Sequence, residues 1–238
     1  MDSRIEALRS MIGGSDNIVF FGGAGVSTES GIPDFRSTSG LYSQKYAHPP
    51  EAMLSHSFFM NDTAEFYRFY RDKMIHPDAK PNAAHFKLAE LESEGKLKAV
   101  ITQNIDNLHQ MAGSRCIYEL HGSVYRNFCM KCGAPHPLES VMKCKGVPRC
   151  GCGGTIKPDV VLYEEPLNQD VMEGAALALK DADVLIVGGT SLNVYPAAGL
   201  LRFYRGGKLI LINKSELPNE SNAALVIHGS IGDVLGQV

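Results

Sequence analysis

Apolar residues Ile5, Leu8 and Ile12 recur at helical spacing until Gly13-Gly14 stops them, and Ile18-Val19-Phe20-Phe21 then runs apolar without a break. The first pattern predicts an amphipathic helix, the second a strand buried on both faces. Further strand-like runs fall at residues 98–102, 117–120, 160–162, 184–187 and 209–212, with helical patterns between most of them. Strands alternating with helices imply a parallel sheet covered on both sides, an α/β fold. Helices are expected at 83–91, announced by Pro81-Asn82, and at 197–204, bounded by Pro196 and by Gly206-Gly207.

Two stretches break this alternation. Residues 36–80 begin as a loop rich in Ser, Gly and Tyr and continue into helix-like segments, including 63–74, with no strong strand. They read as an insertion over the sheet. Residues 128–157 hold five of the six cysteines but few apolar side chains, so a metal is expected to stand in for a core of their own.

Composition narrows the class. A chain of 238 residues, 44% hydrophobic and 21% charged, is long enough to bury a substantial core and is ordinary for a globular protein. Its apolar runs fall well short of the roughly 18 residues that cross a membrane. The charged start, Asp2, Arg4 and Glu6, does not resemble a secretory signal, which makes the cytoplasm the expected compartment. A formal net charge of −3 offers no basic surface for nucleic acid.

The strand at 18–21 runs into Gly22-Gly23-Ala24-Gly25-Val26-Ser27-Thr28, where an α/β protein brings backbone amides up to a diphosphate at a helix N-terminus. Thr28 stands where a dinucleotide fingerprint has its third glycine, so a plain glycine-rich turn explains this segment equally well. The next loop, Ser30-Gly31-Ile32-Pro33-Asp34-Phe35-Arg36, places a carboxylate, an aromatic ring and a guanidinium in succession, a combination with little packing rationale. Thr102-Gln103-Asn104-Ile105-Asp106 follows the strand at 98–102, at the sheet edge where such folds bind ligands, although Asn104 or Asp106 could equally cap a helix.

Cys129-Met130-Lys131-Cys132, then 17 residues, then Cys150-Gly151-Cys152 is the spacing of a closed, structural zinc ribbon with Cys129, Cys132, Cys150 and Cys152 as ligands. Cys144 is read as a free thiol, His136 as the alternative ligand and Cys116 as a small buried hydrophobe. Among eight histidines, His121 in Glu119-Leu120-His121-Gly122-Ser123 ends a strand where the glycine turn and the polar loops would converge, a position suited to a base near neutral pH.

Gly23-Ala24-Gly25-Val26-Ser27, Gly31-Ile32-Pro33-Asp34-Phe35-Arg36, Thr102-Gln103-Asn104-Ile105-Asp106, Leu120-His121-Gly122, the cysteine pairs, Lys157-Pro158-Asp159-Val160-Val161, Gly189-Thr190-Ser191 and Leu211-Ile212-Asn213 together resemble the sirtuins, NAD-dependent protein deacylases, in their compact bacterial form. The resemblance runs through almost the whole chain in order. It implies a Rossmann-like large domain of about 1–35, 81–127 and 158–238, and a small domain made from a helical insertion at about 36–80 and a zinc-binding module at about 128–157. It further implies that NAD is consumed and not reduced, that the acyl oxygen attacks the ribose carbon bearing nicotinamide, and that His121 activates a ribose hydroxyl. The implied products are free lysine, nicotinamide and acyl-ADP-ribose.

Carried over motif by motif, Ala24, Gly25, Thr28, Thr190, Ser191, Asn213 and Asp233 are expected to line the dinucleotide site. Asp34, Phe35, Arg36, Gln103, Asn104, Ile105 and Asp106 are expected around the ribose and nicotinamide, with Asn104 joining His121 as catalytic residues. Val160, Val161, Leu162 and Tyr163 on one side, and Asn193 and Val194 on the other, are expected to sandwich an acetyl-lysine peptide as an added strand.

Two departures from the family pattern stand out. Gly22 replaces a hydroxyl residue, and Tyr163-Glu164-Glu165 replaces aromatic-Gly-Glu. Family members that prefer succinyl-lysine carry Tyr and, three residues on, Arg; here Tyr67 is followed by Tyr70, with Arg71 one step further round the helix, so acetyl is the expected acyl group. The rival readings are a nicotinamide dehydrogenase, a zinc-ribbon nucleic-acid binder and a mono-ADP-ribosyltransferase. The oligomeric state is left open, a monomer being compatible.

Overall fold

The computed structural model describes residues 2–35, 40, 48–217 and 220–238. Among these, strands β1 (Ile18–Gly22), β2 (Leu97–Thr102), β3 (Ile117–Glu119), β7 (Val184–Gly188), β8 (Lys208–Asn213) and β9 (Leu225–His228) form one parallel sheet. Between β3 and β7 the chain forms β4 (Gly122–Cys129), β5 (Pro135–Pro137) and β6 (Ile156–Val160), a second, antiparallel sheet in the order β5-β4-β6. The large sheet has the order β3-β2-β1-β7-β8-β9, so the chain leaves β1 in one direction and resumes beside it at β7 in the other. That reversal places a crevice outside the carboxyl ends of β1 and β7.

Successive side chains of a strand point to opposite faces, and the apolar runs use both. Phe20, Val100 and Ile186 join Leu8 and Ile12 of the helix Asp2–Gly13 and Leu88 of the helix Ala83–Ser93 in one core. Val19, Phe21, Ile101 and Val187 join Ala175 and Leu179 of the helix Gln169–Asp181 in another. The 197–204 segment is also helical, but as a 3₁₀ turn, Ala197–Phe203.

Three features differ from the sequence reading. The apolar run at 160–162 contributes only Val160 to a strand, and that strand, β6, belongs to the small sheet. An apolar run shows that a segment is buried without showing which sheet buries it. Strand β4 has a mixed pattern, with Ser123, Arg126 and Asn127 among its residues, and β9 is short and lies at the sheet edge, so neither carries a clear strand signal. Because β4 starts at Gly122 and β6 runs to Val160, residues 122–127 and 158–160 pair within the small unit and not with the parallel sheet.

The small unit also has a real core. Phe59, Phe66, Tyr67, Phe69 and Tyr70 pack with Leu138, Val141 and Ile156, so the helix Thr63–Lys73 supplies the apolar surface that the cysteine module lacks. Aromatic rings dominate it, with Phe66 edge-on to Phe59 at 4.9 Å and stacked on Tyr70 at 5.4 Å. The module is therefore not coreless, as its composition alone implied.

Candidate active site

The crevice opens into a cavity of about 1030 Å³ lined by residues of both units. Gly25 donates its N–H to the carbonyl of Gly189 at 2.8 Å, joining the loop after β1 to the loop after β7. A Cβ on Gly25 would lie 2.8 Å from the Gly189 backbone, and one on Gly189, itself at φ 58°, would lie 2.4 Å from the Val26 nitrogen. Glycine is needed here so that two loops can touch, which is a different demand from the diphosphate approach expected from sequence. The turn continues into two short 3₁₀ segments, Ala24–Val26 and Thr28–Ser30, and not into a long α-helix.

Behind that turn lies a buried polar chain. Ser27 donates its hydroxyl to Asp106 Oδ2 at 2.6 Å and accepts from Asn104 Nδ2 at 3.0 Å. Asp106 Oδ1 accepts the N–H of Leu108 at 3.0 Å, so this carboxylate both caps a short helical turn, Leu108–Ala112, and grips the glycine loop. Burial raises the Asp106 pKa against the lowering effect of those hydrogen bonds. Asn82 caps the helix Ala83–Ser93 and donates to Val26 O and Ser30 Oγ, pinning the same loop from its other side. Ser27 is absent from the residues singled out by sequence. Its place inside the glycine motif was visible, but its two partners lie 77 and 79 residues away.

Gln103 connects three segments. Its N–H reaches Gly22 O at 3.0 Å, its side chain donates to Thr190 Oγ1 at 3.1 Å, and its carbonyl accepts from His121 Nδ1 at 2.9 Å. A carbonyl can only accept, so Nδ1 carries the proton and Nε2 of the neutral ring holds the lone pair. Burial lowers the His121 pKa, and the Gln103 hydrogen bond offsets this only in part. Gly122, at φ 76°, makes the turn after His121, where a Cβ would collide with Asp159 O.

The cavity wall brings together Ala24, Gly25, Thr28, Asp34, Phe35, Gln103, Asn104, Ile105, Asp106, His121, Thr190, Ser191 and Asn213. Val160, Val161, Leu162, Tyr163 and Val194 line it as well. Arg36 lies outside the described residues. Asn193 and Asp233 are exposed and not part of the wall; Ser230 and Ile231, at the start of the helix Ile231–Leu235, take the place expected for Asp233. Tyr67 and Tyr70 are also absent from it, since both are fully buried in the aromatic core. Arg71 is occupied elsewhere, donating to the carbonyls of Val141, at 2.8 Å, and Gly146.

At the far end of the small sheet, the sulfurs of Cys129, Cys132, Cys150 and Cys152 lie within 4.8 Å of one another. Separations of 3.4 Å for Cys129–Cys152 and Cys132–Cys152 and 3.8 Å for Cys132–Cys150 suit a tetrahedron with metal–sulfur bonds of about 2.3 Å. The Lys131 N–H points to Cys129 Sγ at 3.4 Å, the kind of support a thiolate receives around a structural zinc ion. Cys144 and His136 are not members of the cluster, and Cys116 is half-buried just ahead of β3.

A sequence model described as the Sir2 family matches residues 23–196. A Clostridium acetobutylicum protein named NAD-dependent protein deacetylase is 59% identical over 99% of this chain and 98% of its own length. A Staphylococcus aureus protein of the same name is 42% identical over 99% of this chain and 98% of its own. Among solved structures, Sir2 with a p53 peptide and NAD⁺ superposes with a TM-score of 0.84 at 39% identity, covering 97% of this chain and 95% of that one. A histidine-to-alanine Sir2 variant with deacetylated p53 peptide and 3′-O-acetyl-ADP-ribose gives 0.89 at 39% identity, covering 99% and 97%.

Proposed function

The chain belongs to the Sir2 family, and from that membership we propose that its cleft removes acetyl groups from lysine side chains of proteins, consuming NAD and one water and yielding nicotinamide, free lysine and O-acetyl-ADP-ribose. The single observation that carries this reading is His121: its Nδ1 proton is committed to Gln103 O, and its ring sits in the wall of the cavity that the glycine turn and the 160–163 segment share. NAD supplies an electrophilic ribose carbon. His121, kept neutral by burial, takes the proton of a ribose hydroxyl on Nε2.

The other roles follow from position along the wall. Ala24, Gly25, Thr28, Thr190, Ser191 and Asn213 hold the dinucleotide, with Thr190 oriented by Gln103. Asp34, Phe35, Asn104, Ile105 and Asp106 enclose the reacting ribose, and the Ser27 bridge keeps Asn104 and Asp106 in register with the glycine turn. Val160 to Tyr163 and the Val194 side of the cleft receive the peptide as an added strand. The cleft thus lies between a large Rossmann-like domain and a small domain held by a structural Zn²⁺ on the four cysteines. No helix among the described residues is long and apolar enough to cross a membrane. A cytoplasmic setting, where acetylated proteins and NAD are both present, suits the activity.

The test is one acetyl-lysine peptide incubated with NAD and followed by mass spectrometry. Loss of one acetyl group per nicotinamide released, with acetyl-ADP-ribose formed, is expected. Nicotinamide release with the peptide's acetyl group intact, or ADP-ribose attached to protein, would overturn the proposal in favour of ADP-ribosyl transfer.

A further inference from the structure

Position 164 is where the chain departs from the aromatic-Gly-Glu pattern, and the structure shows what the departure entails. Glu164 sits at φ 75°, a left-handed conformation that glycine adopts freely and a side chain with a Cβ does not. Its carboxylate is anchored: Oε2 accepts the backbone N–H of Ser57 at 2.9 Å and the Ser57 hydroxyl at 2.6 Å. Those hydrogen bonds hold its pKa below the usual carboxylate range.

The adjacent acid is treated differently. Glu165 meets Lys157 Nζ at 3.0 Å, His56 Nδ1 at 2.8 Å and the N–H of Leu162 at 2.9 Å, so a buried ammonium compensates its charge. Among the described residues no lysine or arginine lies within ion-pair distance of Glu164, whose hydrogen bonds come from the uncharged donors of Ser57 and whose nearby titratable neighbour is His56, itself bonded to Glu165. Glu164 is exposed and lines the same cavity as Val160, Val161, Leu162 and Tyr163, immediately after the segment that receives the peptide.

We propose that Glu164 is a specificity-determining residue: a carboxylate with no lysine or arginine partner among the described residues, fixed on the rim of the peptide groove by Ser57, that favours acetyl-lysine segments flanked by arginine or lysine and disfavours those flanked by aspartate or glutamate. The proposal rests on the deacetylase reading. A charge at a wet rim acts through the field and not through a buried pair, so its effect is modest, sensitive to salt and felt mainly in productive encounter. Reversing the sign of a flanking charge in this setting changes kcat/KM by about three- to tenfold at low salt.

The experiment uses three acetyl-lysine peptides of one sequence with arginine, alanine or aspartate at the flanking positions, assayed at low and high salt. Wild type is expected to prefer the arginine peptide over the aspartate peptide, and the ratio should shrink at high salt. Glu164→Gln removes the charge, and Glu164→Gly relieves the positive φ as well as removing the charge; in both, the ratio should fall about threefold or more. Because the readout is a ratio between peptides, a general loss of activity in either variant does not imitate the result. An unchanged ratio in both folded variants overturns the proposal. Failure of wild type to deacetylate the alanine peptide overturns the deacetylase reading instead, so the two failures are distinct.

Discussion

Beneath the glycine loop, His85 and His109 form a buried pair whose rings lie 4.7 Å apart at 58°, with Phe20 against His109. His85 is 0% and His109 1% exposed. His85 Nδ1 accepts the N–H of Asn82 at 3.2 Å, while its Nε2 and both nitrogens of His109 are buried without a hydrogen-bond partner. Among the described residues no carboxylate pairs with either ring. Burial therefore lowers His85 to about 4, and burial together with the neighbouring His85 lowers His109 to about 3.

Both values fall below the roughly 6.5 of a histidine in an unfolded chain, so in mild acid the unfolded chain binds protons that the folded chain refuses. The pair does not penalise folding above about pH 6.5, and stability is lost progressively as pH falls from there toward the folded values. At pH 5 each histidine favours unfolding by about 2 kcal/mol, roughly 4 for the pair, against a usual total of about 5–15. Urea unfolding at pH 7 and pH 5 should show this drop in wild type, and His109→Leu, which removes one titration, should shrink it by about 2 kcal/mol. Acid effects on the cysteine cluster and on His121 are common to both proteins and cancel in the comparison. An identical pH dependence in wild type and His109→Leu would refute the argument.

Other consequences are open to direct measurement. Cys129→Ala should lose bound zinc and destabilise the small domain, whereas Cys144→Ala should retain one zinc per chain by metal analysis. His121→Ala should fold and bind NAD but turn over about two to four orders of magnitude more slowly. Because burial lowers the His121 pKa, the acidic limb of the wild-type kcat/KM profile should lie below the ordinary histidine value; a limb above it would contradict the neutral-base assignment. Acetyl-lysine should be cleaved at least about tenfold faster than succinyl-lysine, since Arg71, the cation one step round the helix from Tyr70, is tied to the carbonyls of Val141 and Gly146 and a buried carboxylate without a cation is costly. Equal rates on the two peptides would show that some other cation serves the acyl pocket.

What could be read from sequence was local. The run at 18–21, the start signal at Pro81-Asn82 and the two cysteine pairs each carry their meaning within a few residues, and the structure contains the strand, the helix and the sulfur cluster. What could not be read depends on partners distant in the chain. Nothing near Gly25 announces Gly189, nothing near Ser27 announces Asn104 and Asp106, and Asp233 sits on a helix whose first residues, not its acid, reach the cavity. The substitution at 164 was visible as a departure, but its physical content, a strained backbone held by Ser57, appears only when residues 107 positions apart meet.

The cysteine module shows why that distinction matters for function. Sequence assigned its stability to metal alone, yet Tyr67 donates its hydroxyl to Ile156 O and Arg71 holds the carbonyls of Val141 and Gly146, so helix, module and metal site form one structural unit. Two strands carry that unit to the chemistry. In β4 and β6, Cys129 pairs with Ile156 beside the sulfur cluster, and Gly122 pairs with Val160 at the cleft, roughly 13 Å away along β6. Gly122 follows His121, and the Val161 N–H bonds to His121 O at 3.0 Å. On the proposed roles, a metal held by the four cysteines would help fix the positions of His121 and of the edge that follows Val160 from the far end of the small sheet, and its removal should disturb peptide binding and turnover while the buried contacts within the parallel sheet persist.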